Sequence, residues 1–140
     1  LSHAFGLRRP VDRTIYDLGP VAAILTDIVT AFGTEYVVSG PVWEYYAGPG
    51  WEEGLRRELE LDLLNGFTGK TVIHPSQIPV VNEMLRVSSR DYADARSILN
   101  WDKDGLVAAS RDGERMNEYN THYNWARRIV LRAERYGTKP

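Results

Sequence analysis

The chain has 140 residues, of which 43% are hydrophobic and 26% charged, a composition typical of globular proteins and long enough for one domain. Its net charge is -2 and its arginines are scattered among acidic residues, so nucleic-acid binding is excluded as a leading hypothesis. The absence of cysteine excludes thiol catalysis and disulfides, and no apolar run reaches the roughly 20 residues that span a bilayer. We expect a cytoplasmic protein that binds no membrane.

The first predicted element is a helix that starts at Gly19-Pro20 and stops at Gly33. Apolar residues recur between these points at spacings of three and four, which places one apolar stripe along a helix with proline in its first turn. The next segment, Tyr36 to Ser39, is short and rich in β-branched residues, and Gly40-Pro41 closes it. This pattern predicts a buried strand.

The loop from Gly40 to Gly50 carries Trp43, Glu44 and two tyrosines between turn residues. In barrels and open α/β sheets the active site lies beyond the carboxyl ends of the strands, which makes Trp43 and Glu44 candidate substrate-binding residues. The alternative stays open that Trp43 caps the core beneath the loop and that Glu44 is solvated.

A second amphipathic helix is predicted from Trp51 to about Asn65, with leucines along one side. A second buried strand follows at about 71–74 and is halted by His74-Pro75. The order strand, loop, helix, strand is the βα rhythm of a parallel sheet, so the two strands are expected to be parallel neighbours. The segment Gly66–Thr71 ends in Gly-Lys-Thr but lacks the first glycine of a phosphate-binding loop and precedes a strand, which argues against nucleotide binding.

The remaining pattern is helical with one hairpin. Helices are predicted over 75–85, from Ser88 or Ser89 to about Trp101, and over 121–136 before Gly137. Between the last two, Leu106–Ala109 and Glu114–Glu118 flank an Arg-Asp-Gly turn that suits a hairpin. The three histidines have no metal-ligand spacing, so no histidine metal site is expected within this chain.

The family resemblance rests on the run Gly66–Ile78, GFTGKTVIHPSQI. It resembles the Gly-Phe-x-Gly-Lys-x-x-Ile-His-Pro-x-Gln signature of the citrate lyase β-subunit-like superfamily, which includes malyl-CoA lyases and hydroxy-acid aldolases. The opening segment Leu1–Gly6, the Gly113 to Glu118 segment and the Trp125–Arg128 helix are similar to other parts of the family in the same order. Within this superfamily, the sequence most resembles the branch of carbon-carbon bond lyases of the TIM-barrel fold.

The resemblance implies an α/β fold that comprises the last two β/α units of a TIM (β/α)8 barrel, residues 1–86, and a C-terminal helical lid with a short hairpin, residues 87–140. It implies that the substrate meets side chains of the signature run and of the loop before it. These candidate substrate-binding residues are Trp43, Glu44, Lys70, His74, Pro75 and Gln77. For His74, a strand-end residue hydrogen-bonded to backbone stays an open alternative.

The resemblance also implies Mg²⁺, which stabilises a developing enolate. The family's metal ligands are a Glu at the end of strand five and an Asp at the end of strand six, and this chain, which opens on Leu1, is expected to begin one residue after that Asp. No metal ligand is therefore assigned here. The family's catalytic lid Asp corresponds to Glu118, which is the candidate proton-transfer residue although the spacing from Met116 to Ala126 is one residue longer.

These expectations combine into the C-terminal portion of a Mg²⁺-dependent carbon-carbon bond lyase or aldolase. Its substrate would be a carboxylate, an α-keto acid or a CoA thioester. The chain alone is expected to be inactive without the N-terminal barrel part, and the protein to be a homo-oligomer. One alternative is a non-catalytic regulatory or scaffold protein that retains the barrel shape. Another is a self-standing α/β binding domain, against which stand the unpaired edges of a two-stranded sheet.

Overall fold

A computed structural model of the chain describes residues 1–100, 108–110 and 113–140. They form an N-terminal unit, Leu1–Met84, and a C-terminal unit, Leu85–Pro140. No helix among these residues combines the length and the apolarity needed to cross a membrane. In chain order the elements are α1 (Ser2–Phe5), a 3-10 helix (Ile15–Asp17), α2 (Gly19–Phe32), β1 (Ser39–Gly40), α3 (Trp51–Leu64), β2 (Gly69–Lys70), α4 (Gln77–Leu85), β3 (Val87–Ser88), α5 (Ser89–Leu99), β4 (Ala108–Ala109), β5 (Met116–Asn117), α6 (Tyr119–Tyr136) and β6 (Thr138–Lys139).

The first predicted helix of the N-terminal unit is confirmed as α2. Proline lies in its first turn, where the missing N–H costs no hydrogen bond, and the Gly33 N–H closes its last turn on Val29 O at 2.8 Å. The apolar stripe buries Val21 and Leu25 against Ile15 and Phe67. This cluster forms one side of the core of the unit.

The two short strands of the N-terminal unit pair in parallel, with Ser39 opposite Gly69 and Gly40 opposite Lys70. The parallel relation predicted for these two segments is confirmed. Backbone hydrogen bonds extend the pairing on both sides, from Thr68 N–H to Val38 O at 3.0 Å and from Thr71 N–H to Gly40 O at 3.4 Å.

The strand bounds predicted at 36–39 and 71–74 are wrong. The Tyr36 N–H donates to Phe32 O at the end of α2, and the Ile73 N–H donates to the Gln77 side chain, so neither group joins the strand pair. Pro41 has no N–H with which to continue β1. Tyr36 is accordingly 64% exposed, not buried.

Helix α3 has the predicted length, but only part of the predicted apolar side is buried. Leu55 and Leu59 are buried as expected, whereas Leu64 is 81% exposed. The buried stripe also contains Glu58 and Asp62, two carboxylates that apolar periodicity does not reveal. Helix α4 begins at Gln77, two residues after the predicted start, and Pro79 lies in its first turn.

The C-terminal unit is built on α5 and α6. Ser88 caps α5 by accepting the Asp91 N–H at 3.1 Å, and Gly137, at φ 86°, ends α6 in a conformation that favours glycine. Helix α6 begins at Tyr119, two residues before the predicted start, and α5 ends at Leu99. Their shared core consists of Val87, Ala95, Ile98, Ala126, Ile129 and Ala133.

Two strand pairs complete the C-terminal unit. Strands β4 and β5 are antiparallel, as the predicted hairpin requires, although only two residues of each pair. The parallel pair β3 and β6 was not predicted from the sequence. The predicted Arg111-Asp112 turn, the Leu106-Val107 start of the hairpin and the helix end at Trp101 lie outside the described residues.

Candidate functional site

The candidate site lies in the N-terminal unit, where the chain leaves β1 and β2. Because the two strands are parallel, the segments Pro41–Gly50 and Thr71–Ser76 both start at the carboxyl ends of the strands, on the same side of the pair. The carboxyl ends of the strands are where α/β proteins place their ligands. Five of the predicted site residues, from Trp43 to Pro75, lie in or beside these two segments.

Trp43 anchors the first segment. Its side chain is fully buried, its Nε1–H donates to Trp51 O at 3.0 Å, and its ring lies 5.4 Å from that of Tyr45. Gly54 makes room for it, since a Cβ there would meet the indole at 2.2 Å. Trp43 therefore holds the loop onto α3.

Gln77 ties the two segments together. Its Nε2 donates to Trp43 O at 2.8 Å and to Tyr45 O at 2.9 Å, while its Oε1 accepts the Ile73 N–H at 3.0 Å. The side chain is 1% exposed. One buried amide thus satisfies backbone groups of both loops, which fixes the distance between them.

Lys70 lies at the end of β2 and points into a buried cluster of charges. Its Nζ is 2.7 Å from Glu58 Oε2 and 2.7 Å from Asp62 Oδ2, and all three side chains are essentially inaccessible to solvent. Gly40 on the neighbouring strand leaves the space for Asp62, because a Cβ there would lie 2.6 Å from its Oδ2. Strand β2 and helix α3 are therefore joined by an ammonium between two carboxylates.

Arg9 and Tyr16 enclose the same cluster. Arg9 Nε lies 2.9 Å from Glu58 Oε1 outside hydrogen-bond geometry, and its Nη2 donates to Glu58 Oε2 at 3.2 Å and also to Val42 O. The Tyr16 hydroxyl donates to Asp62 Oδ1 at 2.6 Å. The Arg9 guanidinium also lies 5.0 Å from the Trp43 ring centroid, a cation–π contact.

Burial sets the electrostatics of this cluster. Loss of water raises the pKa of Glu58, against the opposing effect of Lys70 and then of Arg9. Burial also raises the pKa of the Tyr16 hydroxyl, and its hydrogen bond to Asp62 adds to the rise. The tyrosine is therefore a hydrogen-bond donor at neutral pH.

Sequence reasoning missed Arg9, Tyr16, Glu58 and Asp62. A usable signal was present, because Glu58 and Asp62 are four residues apart and share one helix face with Leu55 and Leu59. Acidic residues within an apolar stripe require a cation, and Lys70 follows Asp62 after eight residues.

Glu44, His74 and Pro75 are the more accessible candidates. Glu44 Oε2 accepts a hydrogen bond from Arg8 Nε at 2.9 Å. The His74 ring stacks on Tyr46, with centroids 4.3 Å apart and planes inclined by 17°. Ser76 Oγ lies 2.9 Å from His74 Nδ1 and donates to Tyr46 O at 3.0 Å. His74 is thus held to the first loop through both its ring and its neighbour.

A cavity of about 320 Å³ opens beside the end of β1. It is lined by Pro41 and Val42, which directly follow that strand, and by apolar residues of α2, with Arg9 and Glu44 as its charged groups. Its lining is polar as well as apolar, and it is open to solvent.

Glu118 belongs to the C-terminal unit, where it precedes α6. Its Oε2 accepts a hydrogen bond from Thr121 Oγ1 at 2.6 Å, and its N–H donates to His122 Nδ1 at 2.8 Å. These contacts hold the start of the helix. Glu118 is partly exposed.

The implied Mg²⁺ finds no fitting ligand set in the part of the chain that the structure describes. No three His, Asp or Glu side chains gather there in an arrangement that could hold an ion. The closely spaced carboxylates Glu58 and Asp62 are already bound to Lys70. No catalytic step through a metal is derived from these residues.

Comparisons with known proteins agree on the type of protein. The family described as C-C_Bond_Lyase of the TIM-Barrel fold matches residues 1–138. A (3S)-malyl-CoA thioesterase of Cereibacter sphaeroides is 37% identical over 87 residues, which are 59% of this chain and 30% of that protein. An L-malyl-CoA/beta-methylmalyl-CoA lyase of the same species is 33% identical over 82 residues, 59% of this chain and 23% of that protein. The chain thus spans less than a third of the length of these relatives. No solved structure matches.

Proposed function

The chain belongs to the carbon-carbon bond lyases of the TIM-barrel fold, and from this premise we propose that the full-length protein cleaves or forms a carbon-carbon bond in a CoA thioester of a hydroxy acid. The match over residues 1–138 carries the proposal. The names of the similar proteins, a malyl-CoA lyase and malyl-CoA thioesterases, support the thioester as the substrate class.

We further propose that β1 and β2 are the last two strands of a (β/α)8 barrel and that the chain is its C-terminal portion. The parallel pair and the helix between its strands support this arrangement, since a barrel repeats that unit eight times. The chain alone would be inactive because two strands cannot enclose a barrel site. A cytoplasmic homo-oligomer is the proposed state of the full-length protein.

In the proposed reaction, a base takes the proton of a hydroxyl group, and the electron pair of that O–H bond forms the C=O bond of the carbonyl product as the neighbouring carbon-carbon bond breaks. The electron pair of the carbon-carbon bond passes to the thioester as an enolate, whose carbon then takes a proton. We assign the proton transfer to Glu118, a carboxylate that accepts a hydrogen bond from the Thr121 hydroxyl and could in the same way accept one from a substrate hydroxyl. Mg²⁺, supplied with ligands from another part of the full-length protein, would stabilise the enolate.

The predicted substrate residues divide into two groups in this proposal. Trp43, Lys70 and Gln77 are buried, and we propose that they position the loops. Glu44, His74 and Pro75 remain accessible, and we propose that they contact the substrate.

One observation favours a second candidate, a regulatory or scaffold protein without catalysis. Glu118 bonds Thr121 through its carboxylate and His122 through its backbone N–H, and these contacts at the start of α6 are a structural role that would account for its presence. A protein of this kind would keep the thioester site and lose turnover.

Product analysis of the full-length protein with malyl-CoA and Mg²⁺ tests both candidates. Carbon-carbon cleavage yields glyoxylate and acetyl-CoA, whereas thioester hydrolysis yields malate and free CoA. Formation of glyoxylate, abolished by EDTA, is the expected result. Release of malate alone would replace the lyase with a thioesterase, and binding of malyl-CoA without any product would favour the non-catalytic candidate.

A further inference from the structure

Tyr46 and His74 form an exposed aromatic surface. The proposed function gives Tyr46 no task and does not say which part of the substrate His74 contacts. They lie on the two loops that follow β1 and β2, and their rings are nearly parallel at a centroid distance of 4.3 Å. Although His74 covers one face of its ring, Tyr46 remains 50% exposed. Exposing an aromatic surface of this kind to water costs free energy that a ligand can recover.

The pair is rigidly held. Ser76 Oγ donates to the backbone oxygen of Tyr46 and lies within hydrogen-bond distance of His74 Nδ1. Gln77 fixes the adjacent Tyr45 and Ile73 backbones. A surface held in this way loses little conformational entropy when a ligand binds.

The polar edges of the two rings are available. Within the described part of the chain, neither the Tyr46 hydroxyl nor His74 Nε2 has a hydrogen-bond partner. A flat surface with polar groups at its rim suits a planar heteroaromatic ring, which stacks on the face and hydrogen-bonds at the edge.

We propose that Tyr46 and His74 are a stacking platform for the adenine ring of the CoA thioester. This rests on the proposed acyl-CoA function and adds the residues that bind the nucleotide end of the substrate. The platform lies on the loops that follow the carboxyl ends of β1 and β2, where α/β proteins place their ligands.

The test measures binding of CoA, AMP and phosphopantetheine to the full-length protein by calorimetry and by saturation-transfer NMR. We expect strong saturation of the adenine protons of CoA. Tyr46→Ala should weaken CoA binding about 5- to 100-fold, the usual loss for one stacked base, and leave phosphopantetheine binding unchanged. His74→Ala should also weaken CoA, whereas Tyr46→Phe should retain most of the affinity.

Tyr36→Ala is the matched control. Tyr36 is 64% exposed and packs edge-on against Phe32 in the same unit, so its loss removes an exposed aromatic ring outside the platform. Unchanged CoA affinity is expected.

The outcomes separate this proposal from the function on which it rests. If CoA binds equally well to Tyr46→Ala, or if Tyr36→Ala weakens it as much, the platform is refuted while the acyl-CoA function stands. If AMP binds through Tyr46 as tightly as CoA does and phosphopantetheine not at all, the ligand is a free adenine nucleotide and the assignment to a thioester is overturned. If neither CoA nor AMP binds, both proposals fail.

Discussion

At the scale of single residues, the charges that matter most for stability are those buried inside the N-terminal unit. Glu58, Asp62 and Lys70 are buried together, and each carboxylate receives a further hydrogen bond, from the Ile15 N–H at 2.7 Å and from the Tyr16 hydroxyl at 2.6 Å. Buried ions that are fully paired are tolerated, and the removal of one partner is costly.

Lys70→Met is expected to lower the free energy of unfolding by about 3–5 kcal/mol, because it leaves two buried carboxylates without their shared cation. Loss of Lys70 also raises the pKa of Glu58 further, so the variant gains stability as the pH falls and Glu58 becomes protonated. Urea unfolding at neutral and acidic pH measures both effects.

Arg56→Met is the matched control, since Arg56 also bridges two acids, Glu52 at 3.0 Å and Glu83 at 2.8 Å, but on the surface. It should cost less than about 1 kcal/mol. Equal losses for the two variants would contradict the importance of the buried cluster.

Glu118 is the residue through which the C-terminal unit would take part in proton transfer. In the full-length protein, Glu118→Gln is expected to lower kcat by about 10²- to 10⁴-fold and to leave Mg²⁺ affinity unchanged. Steady-state kinetics with purified, folded variant provides the measurement. The exposed Glu134→Gln on the same helix should retain full turnover, and unaltered turnover in Glu118→Gln would assign Glu118 to helix capping alone.

At the scale of elements, the sequence predicted helices better than strands. Helix α2 is bounded by Gly19-Pro20 and Gly33, and α5 by its Ser88 cap, so local punctuation and periodicity agree there. The strands pair over two residues each, which is too few for a periodic pattern. Pairing stops where backbone N–H groups find other acceptors, the Gln77 side chain for Ile73 and the Phe32 carbonyl for Tyr36.

The position of the candidate site was partly predictable, because the local pattern of the chain places its loops after strands. The sequence predicted that the aromatic loop and the His74-Pro75 segment each follow one of two parallel strands, and they do. Their side-chain orientations did not follow from the sequence pattern, since burial of Lys70 and Trp43 depends on how helix α3 packs against the strands and the loop. Whether the accessible residues bind substrate stays a prediction.

The packing of the Trp43 loop against helix α3 can be tested at Gly54. Alanine in place of glycine normally stabilises a helix by about 1 kcal/mol, but in Gly54→Ala the new Cβ would lie 2.2 Å from the Trp43 ring. We expect a net loss of about 1–3 kcal/mol, the usual cost of overpacking, with a shift in tryptophan fluorescence. Gly19→Ala, where no atom lies within 4 Å of the new Cβ, is the neutral comparison. A stabilised Gly54→Ala would mean that Trp43 does not hold the loop.

At the scale of the whole molecule, each sheet among the described residues has two strands, which leaves backbone edges open. Beside β1, Tyr36 and Val37 are 64% and 73% exposed. Such edges and apolar side chains are sites of association between chains.

The 140-residue chain alone is therefore expected to self-associate. Light scattering across a concentration series should show a rising mean mass, and Val37→Lys should reduce it, because a charge at a strand edge opposes pairing. A compact monomer at every concentration would contradict the interpretation that these surfaces need a partner.

Metal binding is the second property of the whole chain. Calorimetry with Mg²⁺ should give only the weak, non-stoichiometric heat of surface carboxylates, because the described residues gather no three oxygen ligands around a vacant centre. A stoichiometric site of micromolar affinity would refute this.

The parallel pairing of β3 with β6 has a consequence for how the C-terminal unit can be handled. Val87 lies opposite Thr138 and Ser88 opposite Lys139, so the first and last residues of the unit run side by side, about 4.8 Å apart. A segment whose two ends are neighbours can be inserted into a surface loop of a host protein without separating the ends of that loop. The same closeness makes the unit a suitable substrate for circular permutation, with a short linker from Pro140 to Leu85 and new termini between α5 and α6.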